Sequence, residues 1–340
     1  MIMKKVRIEK LNGRDIFSLI AEGLDSFGLS QRLKSCRRVF IKPKLVTDVP
    51  EYIRNGANTD IRVIEGVLQY LADFDMEICL GESDSGPGVK GRKLAAVLHH
   101  MQVDQLQKRY DFRIVNLTQD EKIVVRFKDG LALHTLEMGR TLMESDLIIN
   151  LPKIKTHKYA TITCAIKNMF GTIPDPLRVK YHRQLHGVLA DLNSLFYERM
   201  VVVVDGLIGM EDNGPLYGTP VPLDLLLFGD DPLAIDIVAS HLIGMNPSDI
   251  PHLKLFHDRY APIEWNGVSI EGNVSLTEVI RPFSPSRLNW FLRIEKHLLP
   301  QPWFLRLIYS PIGLKYVVHP LRHLLKRVRG GASSWYLDNH

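Results

Sequence analysis

Short apolar runs alternate along this chain with stretches that are long enough to form helices. Five of these runs have the length of a strand: residues 39–41, 77–80, 146–150, 201–204 and 223–228. Residues 201–204 are all valine, which is typical of a parallel strand that is buried on both faces. The pattern predicts a sheet built from βαβ units.

Segments with the apolar spacing of a helix connect these strands. Residues 61–71 have apolar side chains three or four positions apart, and Asp60 precedes them as an expected N-cap. Residues 185–196 repeat this spacing, and residues 234–243 follow an Asp-Pro pair at 231–232, which is typical of a helix start. Together the elements predict an α/β fold, an open and largely parallel sheet with helices on both faces.

The remaining sequence suggests how the chain is divided. Residues 1–280 are predicted to form the α/β core. Within it, residues 104–145 are less regular and predict a small β-containing lobe, with strands near 122–127 and 131–136. Residues 281–340 predict a basic, aromatic C-terminal tail of short helical pieces that prolines separate.

Charged side chains follow the last apolar residue of each predicted strand. If the strands are parallel, their carboxyl ends meet at one edge of the sheet, where open α/β folds bind ligands. The residues expected to converge there are Lys42, Lys44, Glu82, Lys153, Lys155, His157, Asp205 and Asp231.

The segment 153–157 has a lysine or histidine at every second position. Alternate residues of an extended segment share a face, so Lys153, Lys155 and His157 are expected to bind a carboxylate or phosphate together. Lys42, Lys44, Lys167 and Asn168 complete this predicted anion site. The alternative is a solvated basic strand end.

Three residues are candidates for acid/base chemistry. Asp205 ends the run of four valines, where burial would raise its pKa unless a lysine or a metal ion pairs with it. His157 and Glu82 are the other candidate catalytic groups.

Three further polar residues are predicted to contact the substrate. Glu211 and Asn213 lie in a glycine-rich loop, and Asp236 lies one turn into the helix after Asp231. The competing interpretation is ordinary turn chemistry for the loop and a helix N-cap for Asp231.

A divalent metal is a further candidate. His182 and His186 are four residues apart on a predicted helix, and His157 would be a third ligand, with a carboxylate from Glu82, Asp205 or Glu211. The alternative is a partly buried helix edge. The three cysteines are widely spaced, so no iron–sulfur cluster is expected.

Six ordered motifs give the chain a family resemblance. They are Lys42-Pro43; Gly81-Glu82-Ser83; NLPKIKTH at 150–157; AIKNMFG at 165–171; DGLIGME at 205–211 with Asn213-Gly214-Pro215; and DPLAID at 231–236. Over about residues 35–250 the chain resembles the domain of unknown function 362 family. That resemblance implies no particular reaction. The family commonly has Asn at the position of Lys44, so this chain is expected to carry an extra cation there.

Composition and charge narrow the class of protein. The 340 residues are 45% hydrophobic and 24% charged, which excludes disordered, collagenous and disulfide-scaffold proteins. The net charge of +5 arises in residues 281–340, which carry +8, so the sequence predicts no nucleic-acid partner. A basic, aromatic tail fits an anionic membrane surface, a second copy of the chain or its own core.

Two classes of function follow from these patterns. The first is an enzyme of unassigned reaction that acts on a small anionic molecule, with or without a metal ion. The second is a non-catalytic accessory or metal-delivery protein that docks through residues 281–340 to a membrane or redox partner. The cysteine usage and an N-terminus without a signal peptide predict a cytoplasmic protein, with peripheral membrane association as an alternative.

Overall fold

A computed structural model of the chain describes residues 3–84, 92–265 and 267–286, together with five positions between 298 and 307. Its strands are β1 Lys4–Lys10, β2 Arg38–Pro43, β3 Glu77–Glu82, β4 Arg113–Asn116, β5 Lys122–Arg126, β6 Thr135–Gly139, β7 Leu147–Leu151, β8 Lys153–His157, β9 Thr161–Thr163, β10 Met200–Glu211, β11 Thr219–Gly229 and β12 Val268–Gly272. Its α-helices are α1 Ile16–Asp25, α2 Leu29–Leu33, α3 Pro50–Arg54, α4 Ile61–Leu71, α5 Arg92–His100, α6 Arg140–Met143, α7 Ala165–Asn168, α8 Leu185–Ser194, α9 Pro232–Leu242, α10 Pro251–Arg259 and α11 Leu276–Val279.

One large sheet organises the described part of the chain. Its strand order is β12-β1-β11-β10-β7-β2-β3-β4, and β8 continues alongside β10 with β9 beside it. Neighbouring strands from β10 to β4 run parallel, as do β1 and β12, whereas β11 is antiparallel to both of its neighbours. The predicted largely parallel α/β sheet is therefore confirmed.

Two apolar cores cover the two faces of this sheet. Val201 and Val203 of β10 pack with α1, α4 and α5 on one face. Val202 and Val204 pack with α7 to α10 on the other. Because successive side chains of a strand point to opposite faces, an unbroken valine run satisfies both cores at once. This arrangement confirms the prediction of helices on both faces.

Strand direction differs from the expectation at β11. Because β11 runs antiparallel to β10, it delivers Asp231 to the edge opposite the other strand ends. There Asp231 accepts hydrogen bonds from the amides of Leu233 and Ala234 as the N-cap of α9, and it lies 3.2 Å from the Lys4 ammonium. The expected convergence of Asp231 with the other charged residues is wrong, and its alternative interpretation as a helix cap fits the structure.

The region 104–145 contributes to two sheets. Strand β4 is the last strand of the large sheet, whereas β5 and β6 form a separate antiparallel pair. The second strand of that pair begins at Thr135, later than the predicted 131–136, because the amides of residues 131–133 are bound by the Asp191 carboxylate instead. Most of the predicted tail, 281–340, lies outside the described residues. No helix in the described part combines the length and the apolar character needed to cross a bilayer.

A buried histidine lies between α8 and α10. His252 of α10 has no exposed surface, and its ring stacks on His186 of α8 with 6.0 Å between the ring centroids. Within the described residues, neither ring nitrogen of His252 has a hydrogen-bond partner. Burial lowers the pKa of His252 well below its ordinary value, and the neighbouring His186 and Lys167 lower it further.

This burial predicts an acid-sensitive packing of α8 against α10. His252 is neutral in the folded protein, so its contribution to stability is complete above its unfolded pKa, about 6.5, and is lost as the pH falls below that value. Chemical denaturation at pH values from 7 to 5 measures this effect. The unfolding free energy of His252→Leu should fall less with decreasing pH than that of the parent chain. The two slopes of unfolding free energy against pH should differ by up to about 1.4 kcal/mol per pH unit. The exposed His134 is the control, because His134→Leu should keep the parent slope.

Candidate functional site

A pocket of about 790 Å³, partly open to solvent, lies beside the carboxyl ends of β2, β3 and β8. Strand ends supply part of its wall, the segment between β8 and α8 supplies most of the rest, and the loop between β10 and β11 adds Pro215 and Leu216. The lining residues are Lys44, Val46, Glu82, His157, Lys158, Tyr159, Lys167, Phe170, Gly171, Pro176, Arg178, Val179, His182, Pro215 and Leu216. Cationic and aromatic side chains predominate among the polar members of this wall.

Two buried lysines in this wall lack a counter-ion. The side chains of Lys44 and Lys167 are 8% and 4% exposed, and no carboxylate or hydrogen-bond acceptor of the described residues pairs with either ammonium. Burial lowers the pKa of Lys44 to about 8. It lowers the pKa of Lys167 well below the ordinary value, with Lys44 and Arg178 adding to the shift. Each charged lysine therefore costs free energy that a bound anion would offset.

The pocket carboxylate, Glu82, is already neutralised. Its Oε2 lies 2.6 Å from the Lys42 ammonium, and its Oε1 accepts a hydrogen bond from the Ser83 amide. Gly171 permits this arrangement, because a Cβ at that position would lie 2.3 Å from Oε1 of Glu82. Glu82 therefore offsets Lys42, which leaves Lys44 and Lys167 as a net positive charge.

The imidazole of His157 has a defined tautomer. Its Nδ1 accepts hydrogen bonds from the amides of Tyr159 and Ala160, at 3.0 and 3.1 Å. Burial and nearby cations, Lys167 first among them, lower the pKa of His157 well below its ordinary value. The neutral ring therefore carries its proton on Nε2 and can donate a hydrogen bond there. In this state His157 is a donor to an anion rather than a general base.

Helix α7 holds Lys167 in place. The buried Asp236 carboxylate accepts hydrogen bonds from the amides of Ala165 and Ile166, at 2.6 and 3.1 Å. Asn168 donates to the Lys42 carbonyl and to the Asn150 side chain. Asp236 and Asn168, both predicted to contact the substrate, thus lie behind the pocket wall and fix the helix that carries the lysine.

The two lysines of the 153–157 segment are engaged elsewhere. Lys153 pairs with Asp205 at 2.8 Å, and both side chains are buried. Asp205 also accepts hydrogen bonds from the Asp60 and Leu207 amides. Lys155 donates to the carbonyls of Ala57 and Pro215. Of the three residues that alternate along β8, His157 is the one that lines the pocket.

The predicted loop residues also lie outside the pocket wall. Glu211 accepts a hydrogen bond from the Ser284 amide, and the exposed Asn213 donates to Asp212. The glycine-rich segment instead contributes Pro215 and Leu216 to the lining.

The three candidate metal ligands occupy two places. His182 lies in a 3₁₀ helix, Arg178–Gln184, that precedes α8, so it is not on one continuous helix with His186. It lines the pocket with His157 and stacks on Phe170, whereas His186 stacks on His252. In the described ranges, no three His, Cys, Asp or Glu side chains gather closely enough to hold a metal ion. The donor arrangement therefore does not support the predicted three-histidine site.

Four of the pocket residues that were not among the sequence candidates have charged or aromatic side chains. Lys158 and Tyr159 directly follow the 153–157 segment, and the Lys158 ammonium lies 4.8 Å from the Tyr159 ring centroid. Phe170 lies in the AIKNMFG motif at 165–171, which also contains the candidates Lys167 and Asn168. Arg178, which donates to the Asp84 carbonyl at 2.7 Å, begins the 3₁₀ helix that precedes α8, and the sequence gives no signal of its position.

Residues 39–241 match the family described as domain of unknown function (DUF362). This chain belongs to that family. The match spans every strand that borders the pocket and confirms the resemblance expected from the six motifs.

Individual relatives of this DUF362 chain are distant. The thylakoid-associated protein sll1697 of Synechocystis sp. is 25% identical over 310 residues, which cover 86% of this chain and 88% of that protein. Lactate racemase apoprotein from Thermoanaerobacterium thermosaccharolyticum aligns with a TM-score of 0.44 and 10% identity, over 72% of this chain and 58% of that one. A Thermotoga maritima crystal structure aligns with a TM-score of 0.40 and 13% identity, over 63% of this chain and 55% of that one. This chain thus spans less than two thirds of each of these two structures.

The buried pair of Lys42 and Glu82 predicts strong coupling. Glu82→Gln leaves a buried ammonium without its carboxylate and should lower the unfolding free energy by about 3 to 5 kcal/mol. The double variant Lys42→Met with Glu82→Gln should recover a large part of that loss, because no unpaired charge remains. Urea denaturation of the two single variants and the double variant gives the coupling energy directly. Additive losses would show that the pair is not coupled.

Proposed function

We propose that this chain binds a small organic anion, a carboxylate or a phosphate, in the pocket and acts on it as an enzyme. The observation that carries the proposal is the pair of buried lysines, Lys44 and Lys167, that face the pocket without a carboxylate of their own. A cation in such a site is stabilised by an anionic partner that enters from solution.

The pocket offers several donors to such an anion. Lys44 and Lys167 supply ammonium groups, and the neutral His157 ring supplies Nε2–H. Arg178 adds a guanidinium, although its contact with the Asp84 carbonyl already occupies part of it. Charge-assisted hydrogen bonds of this kind are about twice as strong as neutral ones.

The apolar part of the wall suggests the size and character of the ligand. Phe170 and His182 stack with an interplanar angle of 12°, and Tyr159 lies against His182. Val46, Val179 and Leu216 extend this apolar surface. Charged groups together with apolar and aromatic contacts suit an anion with a carbon skeleton better than a bare inorganic ion.

Lysine-to-methionine changes should separate binding from stability. Lys44→Met and Lys167→Met each remove a buried charge while keeping most of the side-chain volume. Each variant should gain unfolding free energy, on the order of 1 kcal/mol near neutral pH. Each should also lose about tenfold or more in affinity for bound anions.

Calorimetry and thermal unfolding with inorganic phosphate, citrate and glycolate measure both effects. Lys254→Met is the matched control, because Lys254 is 60% exposed and lies on α10, and it should leave both quantities unchanged. Equal anion affinity in the parent chain and both pocket variants would contradict the proposal.

A second candidate is peripheral association with an anionic membrane through residues 281–340. Two observations favour it: the +8 charge of this segment, and the thylakoid association in the name of the Synechocystis relative, which matches 86% of the chain. Basic residues near an anionic bilayer contribute about 1 kcal/mol each to binding.

Flotation with vesicles tests the membrane candidate. A variant with Arg322, Lys326, Arg327 and Arg329 all changed to Gln should bind phosphatidylglycerol vesicles at least about tenfold more weakly than the parent. Neither protein should bind phosphatidylcholine vesicles. Lys44→Met is the control for the pocket and should float like the parent. Equal flotation of the parent and the fourfold variant would exclude this role for the tail.

A further inference from the structure

Lys167 differs from its neighbouring lysines in what its amine contacts. Lys42 pairs with Glu82 and Lys153 with Asp205, and Lys155 donates to two backbone carbonyls. The Lys167 nitrogen instead lies 4.3 Å from the centroid of the Phe170 ring, at the pocket wall. An amine held over an aromatic ring and facing a cavity is accessible to a reactant in that cavity.

The surroundings of Lys167 make its ammonium easier to deprotonate than that of an ordinary lysine. It is 4% exposed, and Lys44, Arg178 and Lys42 all oppose a positive charge on it. The nearby Glu82 has the opposite effect, but it is already paired with Lys42. Burial and these cations lower the pKa of Lys167 well below its ordinary value. A neutral amine is a nucleophile, and lysines are activated in this way by desolvation beside another cation.

Hydrogen bonds of the residues before and after Lys167 fix its position. Asp236 binds the amides of Ala165 and Ile166, and Asn168 is hydrogen-bonded to Asn150. Such a shell holds a reactive group in one geometry. Lys44 remains at the same wall as an anion-binding group.

We propose that Lys167 forms an imine with a small anion that carries an aldehyde or ketone group. The proposal rests on the anion site described under Proposed function and names the class of substrate for it. The lone pair of the Lys167 amine attacks the carbonyl carbon and gives a carbinolamine. The carbonyl oxygen then leaves as water with the two hydrogens of the amine, and a carbon–nitrogen double bond forms. No oxidant or reductant is consumed in this step.

His157 and Lys44 have separate tasks in this proposal. The Nε2–H of His157 donates a hydrogen bond to the oxygen that leaves, and Lys44 binds the carboxylate or phosphate of the reactant. The imine nitrogen then takes up a proton from solvent water, and the protonated imine withdraws electrons from the adjacent carbon, as in enzymes that use lysine imines with carbonyl substrates.

Reductive trapping tests the imine directly. The full chain is incubated near neutral pH with glyoxylate and sodium cyanoborohydride, which reduces the imine to a stable amine. Intact mass spectrometry should show one added glyoxylate group per chain, and peptide mapping should place it on Lys167. Labelling of Lys167 should exceed that of the exposed Lys254 by about tenfold or more. Labelling spread evenly over surface lysines, or concentrated on Lys44, would overturn the proposal.

Variants and a matched ligand separate this proposal from the anion site itself. Glycolate has an alcohol where glyoxylate has an aldehyde, so it should stabilise the protein to heat and slow trapping without forming an adduct. Lys167→Arg keeps the positive charge and should bind glycolate without trapping glyoxylate, whereas Lys44→Arg should still be trapped. Glycolate binding without any adduct in the parent chain would disprove the imine and leave the anion site intact. Absence of an adduct together with absence of phosphate, citrate and glycolate binding would disprove both proposals. Mapping in the parent chain does not depend on how a variant folds.

Discussion

Charged side chains are buried at the carboxyl ends of the central strands, and their need for partners determines much of this structure. Strands that are covered on both faces end in lysines and carboxylates, which must find partners inside the protein. Lys42 finds Glu82 on the neighbouring strand, and Lys153 finds Asp205. Lys155 uses backbone carbonyls instead. These pairings fix the relative positions of loops that are far apart in sequence, because each unpaired charge would cost several kcal/mol.

The pocket is the place where this pairing is incomplete. It brings cations from a strand end, from the short helix α7 and from the 3₁₀ helix before α8 to one cavity, while its carboxylate is already paired with Lys42. If the pocket lysines served only the stability of the fold, apolar residues at the same positions would make the protein more stable. The proposed binding of an anion would offset the cost of the unpaired lysines, in line with the general trade-off between stability and activity.

The positions of most elements could be predicted from the sequence, whereas their directions could not. The apolar runs gave the central strands, and helix α4 has the predicted bounds with Asp60 as its cap. The periodicity of apolar residues indicates which side chains are buried but not the direction in which a strand runs. The antiparallel direction of β11 and the resulting position of Asp231 were therefore not predicted. The candidate site was predictable where strand ends supply its residues, as with Lys44, Glu82 and His157. It was not predictable for Arg178, because the short 3₁₀ helix that begins there has no clear apolar periodicity.

The contact between Asp236 and α7 also has a consequence for the order of events during synthesis. The carboxylate and the amides it binds are 70 and 71 residues apart in the chain. While the ribosome is still adding the intervening residues, the segment of Lys167 lacks the acceptor that holds its first turn. The central strands β2, β3 and β7 have all been synthesised by then and can pair with one another. The side of the sheet that carries α7 is thus completed late, after α9 has emerged and docked.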